Sequence, residues 1–208
     1  MSRIGIDLDD VMAICAVPYL RRFADQFGVE LPDEREIGWH LLSQMDEHVN
    51  PEQRDRFRLQ LYDGTFFSEL EVYQDCPAVL ERMVAAGHEL YFITARAEQR
   101  RVTTETWLRE KGLLDYAKAV HLKPYGDFRP EHPRGRYDAE GSATYKTRLA
   151  QELRLELFCE DDSVIARALA DAGVRVFLFD QPWNRDLDHP LVHRISGWGQ
   201  LADALALP

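Results

Sequence analysis

The segment RIGIDLDDV at residues 3–11 decides the fold class, because a short apolar run ends there in three carboxylates. An apolar run this short, rich in β-branched residues and followed by polar groups, is typical of a buried strand. Period-two alternation places Asp7 and Asp9 on the same side of the chain as it leaves the sheet. Two like charges held this close repel each other. Mg²⁺, which favours carboxylate oxygens together with water and phosphate, would compensate for them. The alternative is an acidic loop that holds no metal.

The composition is that of an ordinary globular protein with an excess of negative charge. The 208 residues are 45% hydrophobic and 29% charged, which suffices for one substantial core and a small additional subdomain. With 36 acidic against 25 basic side chains, the formal net charge is -11. A surface this acidic repels long polyanions, so we expect no nucleic acid polymer as a partner. A small phosphorylated molecule is compatible with this negative charge, because a metal and a few cationic side chains can reverse the electrostatic field locally.

Three features of the chain bear on its compartment. No positively charged leader followed by an apolar segment is found at the N-terminus, and no apolar run approaches membrane-spanning length. The cysteines Cys15, Cys76 and Cys159 are far apart and lack CxxC spacing, so we expect reduced thiols and no zinc site. We therefore expect a cytoplasmic protein with no membrane contact. The sequence leaves open whether the chain forms a homodimer.

Strand-like segments alternate with helical patterns along most of the chain. After the first strand, such segments occur at residues 88–93, 117–122, 155–159 and 174–179, with helical periodicity between them. This alternation predicts an α/β fold with a Rossmann-like, mostly parallel sheet that helices cover on both faces, giving three layers. Ligands of such sheets bind at the carboxyl ends of the strands.

Residues 15–75 interrupt this alternation, because they show helical patterns and no convincing strand. We predict that they form a small helical cap inserted after the first strand, called the insert below, and that residues 1–14 and 76–208 form the core domain. An insert in this position would cover the edge of the sheet where a ligand is expected. Residues 123–141, rich in Pro, Gly, Arg and Asp, are expected to form an exposed loop.

Polar side chains follow three of the predicted strands. The first strand ends in Asp7 and Asp9, the second in Thr94, and a later one in the acidic run EDD at residues 160–162. Lys146 lies on the helix that precedes this acidic run. Because the carboxyl ends of parallel strands meet at one edge of a sheet, we expect these side chains to converge there.

The order of these motifs resembles that of the haloacid dehalogenase-like (HAD) superfamily of phosphatases: an aspartate pair, a threonine, a lysine and an acidic run. The resemblance spans nearly the whole chain and implies a HAD-like fold, an aspartyl-phosphate intermediate and Mg²⁺ as cofactor. Asp7 would be the nucleophile, and Asp9 the general acid and base. Thr94 and Lys146 would stabilise the transferring phosphoryl group. The metal ligands would be Asp7, Asp161 and the backbone carbonyl of Asp9.

Several neighbouring residues leave alternatives open. Glu160 or Asp162 would assist at the metal site, and the acidic run also suits a helix N-terminus. Asp10 stands where many superfamily members have glycine, and it would add negative charge near the metal. The superfamily pattern favours Lys146, at the opening of its helix, over Lys123, which directly follows the third strand.

A narrower resemblance is to the 5'(3')-deoxyribonucleotidases and their bacterial nucleotidase-like branch. It rests on the segments GTFFSELE at residues 64–71, FITAR at residues 92–96 and FDQPWN at residues 179–184. The resemblance implies a nucleoside monophosphate as the substrate.

Particular side chains would contact that substrate. In the family, a helical cap supplies aromatic walls to a base pocket, so Phe66 and Phe67 would stack on a nucleobase. The competing interpretation is that these phenylalanines are core residues that join the insert to the sheet. Ala95 and Arg96 would lie at the substrate phosphate, although Arg96 could instead pair with a carboxylate.

We therefore expect a Mg²⁺-dependent phosphomonoesterase, an enzyme that hydrolyses (deoxy)ribonucleoside monophosphates. One alternative is a phosphatase of another small phosphorylated metabolite, with the insert as a general lid. The other is a non-catalytic module that binds a phosphate ligand. A nucleophile paired with an acid argues against that last alternative, because binding alone needs neither.

Overall fold

Six parallel strands form the central sheet in a computed structural model that describes residues 1–47, 49–124 and 137–207. The strands are β1 (Arg3–Ile6), β2 (Glu89–Ala97), β3 (Ala117–Lys123), β4 (Leu157–Glu160), β5 (Arg175–Phe179) and β6 (Val192–Ile195). Their spatial order is β3-β2-β1-β4-β5-β6, and each neighbouring pair is parallel. The predicted α/β fold with a parallel sheet is confirmed.

Helices fill most of the chain between these strands. They are α1 (Ala16–Phe27), α2 (Leu42–Glu47), α3 (Pro51–Asp63), α4 (Phe66–Glu69), α5 (Cys76–Ala85), α6 (Arg101–Glu110), α7 (Ala139–Leu153), α8 (Ser163–Asp171) and α9 (Trp198–Ala204). Among the described residues, no helix combines the length and the apolar character that crossing a membrane requires.

The sheet separates two hydrophobic cores, one on each face. Alternate residues of β5 enter opposite cores: Phe177 and Phe179 belong to the first, and Val176 and Leu178 to the second. The buried apolar residues of α5, α6 and α9 complete the first core, and those of α7 and α8 complete the second. The fold therefore has the three layers that the sequence predicts.

The insert leaves the sheet and returns to it at neighbouring points. The backbone N–H of Ile14 donates to the Glu71 carbonyl at 2.8 Å, and that of Tyr73 donates to the Met12 carbonyl at 3.0 Å. Helices α1 to α4 lie between these points. The first core continues from the sheet into α1, so the assignment of residues 15–75 to a separate subdomain stays a prediction.

Two expectations differ from the structure. The strand β6 was not predicted, because its four residues include the exposed His193 and Arg194 and resemble a polar loop. The predicted loop at residues 123–141 is ordered secondary structure at both ends, since Lys123 ends β3 and α7 begins at Ala139 rather than near residue 143. Residues 125–136, the middle of that loop, lie outside the described residues.

Candidate active site

Asp7 and Lys146 form an ion pair at the carboxyl edge of the sheet. Asp7 directly follows β1, and Lys146 reaches it from α7, with Nζ 2.9 Å from Asp7 Oδ1 and 2.8 Å from Glu160 Oε2. The side chain of Lys146 is fully buried. Burial lowers the pKa of Lys146, but the two carboxylates raise it by more, so the ammonium stays charged beside Asp7.

Asp7, Glu160 and Asp161 form a buried cluster of carboxyl groups. Each offers one oxygen, and these oxygens all lie within 4.8 Å of one another. Burial raises the pKa of all three groups, that of Glu160 to about 8. Within the described chain, the buried Oδ1 of Asp7 accepts no hydrogen bond of good geometry, although Lys146 lies close to it. A set of hard oxygen donors with uncompensated negative charge fits Mg²⁺.

The three acidic residues after β4 have different partners. The Glu160 carboxylate accepts from Lys146 through Oε2 and from the backbone N–H groups of Asp161 and Asp162 through Oε1, both at 3.3 Å. The side chain of Asp162 caps α8, since its Oδ1 accepts from two backbone N–H groups at 2.8 and 3.0 Å. The geometry therefore favours Asp161 as the metal ligand, with Glu160 holding Lys146.

Trp183 and Asn184 hold Asp161 from the loop after β5. The indole N–H of Trp183 donates to Asp161 Oδ2 at 3.0 Å, and Asn184 Nδ2 donates to the Asp161 backbone carbonyl at 2.7 Å. Gly38 of the insert lies against the face of this indole, where a Cβ would come within 2.3 Å of Cε3. These two contacts fix the position of Asp161, which directly follows β4.

Asp9 is held by Arg96 through two hydrogen bonds. Nε of Arg96 donates to Asp9 Oδ2 at 3.0 Å, and Nη2 donates to Asp9 Oδ1 at 2.6 Å. Burial lowers the pKa of Arg96, but the Asp9 carboxylate more than offsets this effect. The buried Oγ1 of Thr94 accepts from the backbone N–H of Arg96 at 3.1 Å, which fixes the end of β2. Ala95, between them, is half-buried.

Asp10 is not a member of the cluster of Asp7, Glu160 and Asp161, but its negative charge contributes, after burial and Glu160, to the raised pKa of Asp161. The Asp10 carboxylate caps α1 by accepting from the backbone N–H groups of Cys15 and Ala16, and it accepts from the Trp39 indole at 2.8 Å. Its φ of 58° is left-handed, which explains why glycine suits this position in the superfamily. Burial raises the pKa of Asp10 to about 7.

Phe66 and Phe67 lie inside the insert rather than on an open surface. The two side chains are 1% and 6% exposed. Phe66 meets the Tyr19 ring edge-on, and Phe67 stacks on Tyr62 with ring centroids 5.5 Å apart. Phe67 also covers the guanidinium of Arg96, with Cζ 4.3 Å from the ring centroid. Their stacking on a nucleobase stays a prediction.

Lys123 is engaged away from Asp7. It is fully buried, lies 3.7 Å from Asp138 Oδ2 and donates to Ser142 Oγ at 3.2 Å. Asp138 is the N-cap of α7 and accepts from the Gly141 N–H. The geometry places Lys146 rather than Lys123 at Asp7.

Two residues at the site were absent from the sequence-based predictions. Trp39 donates to Asp10, and Gln181 Nε2 donates to the Asp10 carbonyl at 3.3 Å. Gln181 lies in the FDQPWN segment, which could have indicated it. No local pattern indicates Trp39, because its role depends on how the insert packs against the core.

The chain is similar in sequence to known nucleotidases. The family described as 5' nucleotidase, deoxy (pyrimidine), cytosolic type C protein matches residues 1–123. A nucleotidase candidate from Bacillus cereus is 23% identical over 98% of this chain and 97% of its own length. A nucleotidase of Clostridium acetobutylicum is 24% identical over 67% of this chain and 62% of its own length.

Solved structures share the fold over the whole chain. A haloacid dehalogenase-like hydrolase from Streptococcus pneumoniae has a TM-score of 0.67 at 14% identity and covers 99% of this chain and 98% of its own. A HAD-hydrolase candidate from Bacillus subtilis, whose structure contains magnesium, has a TM-score of 0.60 at 15% identity, with 99% of each chain covered. The family match covers more than half of the chain, and it confirms the family resemblance of the motifs. The chain therefore belongs to the cytosolic type C family of 5'(deoxy)nucleotidases, within the haloacid dehalogenase-like phosphatases.

Proposed function

We propose that the protein hydrolyses nucleoside monophosphates through an aspartyl-phosphate formed on Asp7. The observation that carries this proposal is the pairing of Asp7 with the buried ammonium of Lys146, at 2.9 Å, beside the carboxylates of Glu160 and Asp161. A buried carboxylate that faces a cation and a second acidic group suits a nucleophile that must receive a phosphoryl group.

The reaction has two steps. In the first, a carboxylate oxygen of Asp7 attacks phosphorus, the bond to the leaving oxygen breaks, and Asp9 donates a proton to that oxygen. In the second, Asp9 takes a proton from a water molecule, which attacks the same phosphorus. The bond to Asp7 then breaks, phosphate leaves, and the carboxylate is regenerated.

The remaining site residues balance the charge of the phosphoryl group. Lys146 offsets negative charge on Asp7 and on the phosphoryl oxygens, and Thr94 would hydrogen-bond one of those oxygens. The carboxylates of Asp7 and Asp161, with the Asp9 carbonyl, would hold Mg²⁺, which when bound supplies Lewis-acid stabilisation of phosphoryl charge.

The substrate class rests on the family and on charge. The family description and the names of the relatives point to a small nucleotide. The net charge of -11 disfavours a nucleic acid polymer in the same role. In this proposal the insert covers the leaving nucleoside, with Phe66 and Phe67 buried inside it, and Ala95 lies beside the phosphate.

Phosphate release from a panel of nucleoside monophosphates and sugar phosphates with Mg²⁺ tests the proposal. The Asp7→Asn variant keeps the shape of the side chain but removes the nucleophile, so turnover should fall to background. Asp75→Asn, at an exposed N-cap outside the site, is the matched control and should keep wild-type turnover. Turnover that survives in Asp7→Asn would refute the covalent mechanism. Turnover of sugar phosphates alone would keep the mechanism and remove the nucleotide.

A further inference from the structure

The geometry points to Arg96 as the residue that positions Asp9, and to Phe67 of the insert as the group that holds Arg96. This inference rests on the proposed function, because it concerns the acid and base assigned to Asp9. In this inference Arg96 does not contact the substrate; it affects catalysis by orienting Asp9.

The exposed fractions of the Arg96 and Asp9 side chains distinguish a residue that positions Asp9 from one that contacts the substrate. The side chain of Arg96 is 1% exposed, whereas that of Asp9 is 25% exposed. A substrate can therefore reach the Asp9 carboxylate, but the guanidinium behind it is closed off. Two parallel hydrogen bonds, at 3.0 and 2.6 Å, fix the plane of the carboxylate as well as its position. Arg96 thus sets the direction in which Asp9 presents its oxygens.

The guanidinium of Arg96 is itself held on its other sides. Its Nη1 donates to the buried Thr104 Oγ1 at 3.4 Å. The Phe67 ring covers it at 4.3 Å, and Trp107 lies 5.6 Å from it. An aromatic face attracts a cation, and the attraction is strong where both groups are desolvated. The orientation of Arg96 therefore depends on Phe67 being in place.

Phe67 belongs to the insert, whereas Asp9, Arg96 and Trp107 belong to the predicted core domain. The Trp107 indole donates to the Leu70 carbonyl at 2.8 Å, which ties the chain three residues beyond Phe67 to α6. The seating of the insert on the core is thereby coupled to the orientation of Asp9. Phe67 would act on catalysis without touching a nucleobase.

The test uses substrates that differ in their need for an acid. A nucleoside 5'-monophosphate and ribose 5-phosphate have alkyl leaving groups that require a proton from Asp9, whereas 4-nitrophenolate leaves without one. The readout is kcat/KM, which includes only the steps up to departure of the leaving group. Arg96→Met should lower kcat/KM for both alkyl phosphates by about 10²–10⁴-fold and spare 4-nitrophenyl phosphate.

Phe67→Leu should lower kcat/KM for both alkyl phosphates by about 10-fold, with 4-nitrophenyl phosphate again spared. Phe57→Leu is the matched control: its ring packs on Phe23 and Phe27, and the ratio between alkyl and aryl substrates should not change. Arg96→Lys keeps the charge but loses the two-point contact, and its loss should lie between those of wild type and Arg96→Met. Thermal unfolding checks that each variant is folded.

Other patterns would overturn the inference. Equal losses on all three substrates would mean a general structural effect, and a loss on the nucleotide alone would make Phe67 a base contact. A rise in KM for all substrates in Arg96→Lys would make Arg96 a phosphate ligand. These outcomes leave the proposed function intact. That proposal fails separately if wild-type protein hydrolyses no phosphomonoester or if Asp7→Asn retains turnover.

Discussion

Gly5 in the central strand β1 shows how closely two neighbouring strands pack. A Cβ at this position would lie 2.4 Å from Cδ2 of Phe158 on β4 and 2.9 Å from Leu155. We expect Gly5→Ala to lower the free energy of unfolding by about 1–3 kcal/mol, because the Phe158 ring is fully buried and cannot move aside without strain. Thermal unfolding of the variant measures this.

Gly199 provides the comparison for this substitution. It lies within α9, and a Cβ there would have no neighbour within 4 Å. Gly199→Ala should raise the free energy of unfolding by about 0.4–1 kcal/mol, because alanine has less backbone freedom to lose on folding. Equal effects of the two substitutions would contradict the packing argument for Gly5.

Trp183 hydrogen-bonds to Asp161, the proposed metal ligand. Removing the indole N–H in Trp183→Phe leaves Asp161 Oδ2 without its 3.0 Å hydrogen bond. Residues that orient a metal ligand in this way typically contribute about 10–100-fold in affinity. We expect the variant to bind Mg²⁺ about 10-fold more weakly, as measured by calorimetric titration of the substrate-free protein.

Trp198 serves as the control for that measurement. Its indole donates to the Val11 backbone carbonyl at 2.8 Å, so Trp198→Phe loses an indole hydrogen bond of the same kind without touching Asp161. We expect lower stability but unchanged Mg²⁺ affinity. Unchanged affinity in Trp183→Phe as well would remove Trp183 from the metal site.

At the scale of elements, helix α3 depends on its N-cap, the residue that precedes it. The Asn50 side chain accepts from the backbone N–H groups of Glu52 at 2.9 Å and Gln53 at 3.3 Å, and Pro51 occupies the first helical position. Asn50→Ala should lower the free energy of unfolding by about 1 kcal/mol, because two N–H groups lose their acceptor. Chemical denaturation gives the value.

Asp75, the N-cap residue of α5, provides the matched control for Asn50→Ala. The Asp75 side chain makes no capping hydrogen bond, so Asp75→Ala should change stability by less than about 0.5 kcal/mol. If Asp75→Ala destabilised the protein as much as Asn50→Ala, the hydrogen bonds of Asn50 would not be the cause.

At the scale of the whole molecule, the insert touches both halves of the site. Phe67 packs on Arg96, which holds Asp9, and Gly38 packs on Trp183, which holds Asp161. A third link is the ion pair between Glu36 and Arg185 at 3.2 Å, which is exposed and contributes little energy. The position of the insert thus bears both on Asp9, the proposed acid, and on Asp161, the proposed metal ligand.

The buried carboxyl groups predict a pH dependence of stability. Burial raises the pKa of Glu160 from 4.5 to about 8 and that of Asp10 from 3.8 to about 7. The folded chain therefore keeps protons that the unfolded chain releases. The stability that these groups contribute is fully present below their pKa values in the unfolded chain. It is lost as the pH rises through their pKa values in the folded chain. We expect the Tm of the metal-free protein to fall between pH 6 and pH 8.

Adding Mg²⁺ and substituting Asp10 separate the contributions of the acidic cluster and of Asp10 to this fall in Tm. Mg²⁺ should raise the Tm more at pH 8 than at pH 6, because at pH 8 it meets carboxylates that are already ionised. Asp10→Asn removes one titrating group outside the acidic cluster, so it should make the fall shallower and leave the Mg²⁺ effect in place. A metal-free Tm that rises towards pH 8 would contradict the argument.

Local patterns predict much of the fold and of the site. The strand and helix segments, the Asn50 cap and the end of α1 at Gly28 follow from residue periodicity and backbone preference, which act over a few positions. The strand β6 escapes prediction because four residues, two of them polar, carry too little of that signal. Its place beside β5 comes from tertiary pairing, which overrides local propensity.

The sequence by itself determined the set of candidate side chains, because Asp7, Asp9, Thr94 and Asp161 lie just after predicted strands and Lys146 lies on the helix before the acidic run. Only the tertiary structure decided their partners. It placed Lys146 rather than Lys123 at Asp7, turned Asp10 into a helix cap, and paired Arg96 with Asp9. These contacts join residues that are distant in the chain, and their geometry depends on how the layers and the insert pack, which no local pattern records.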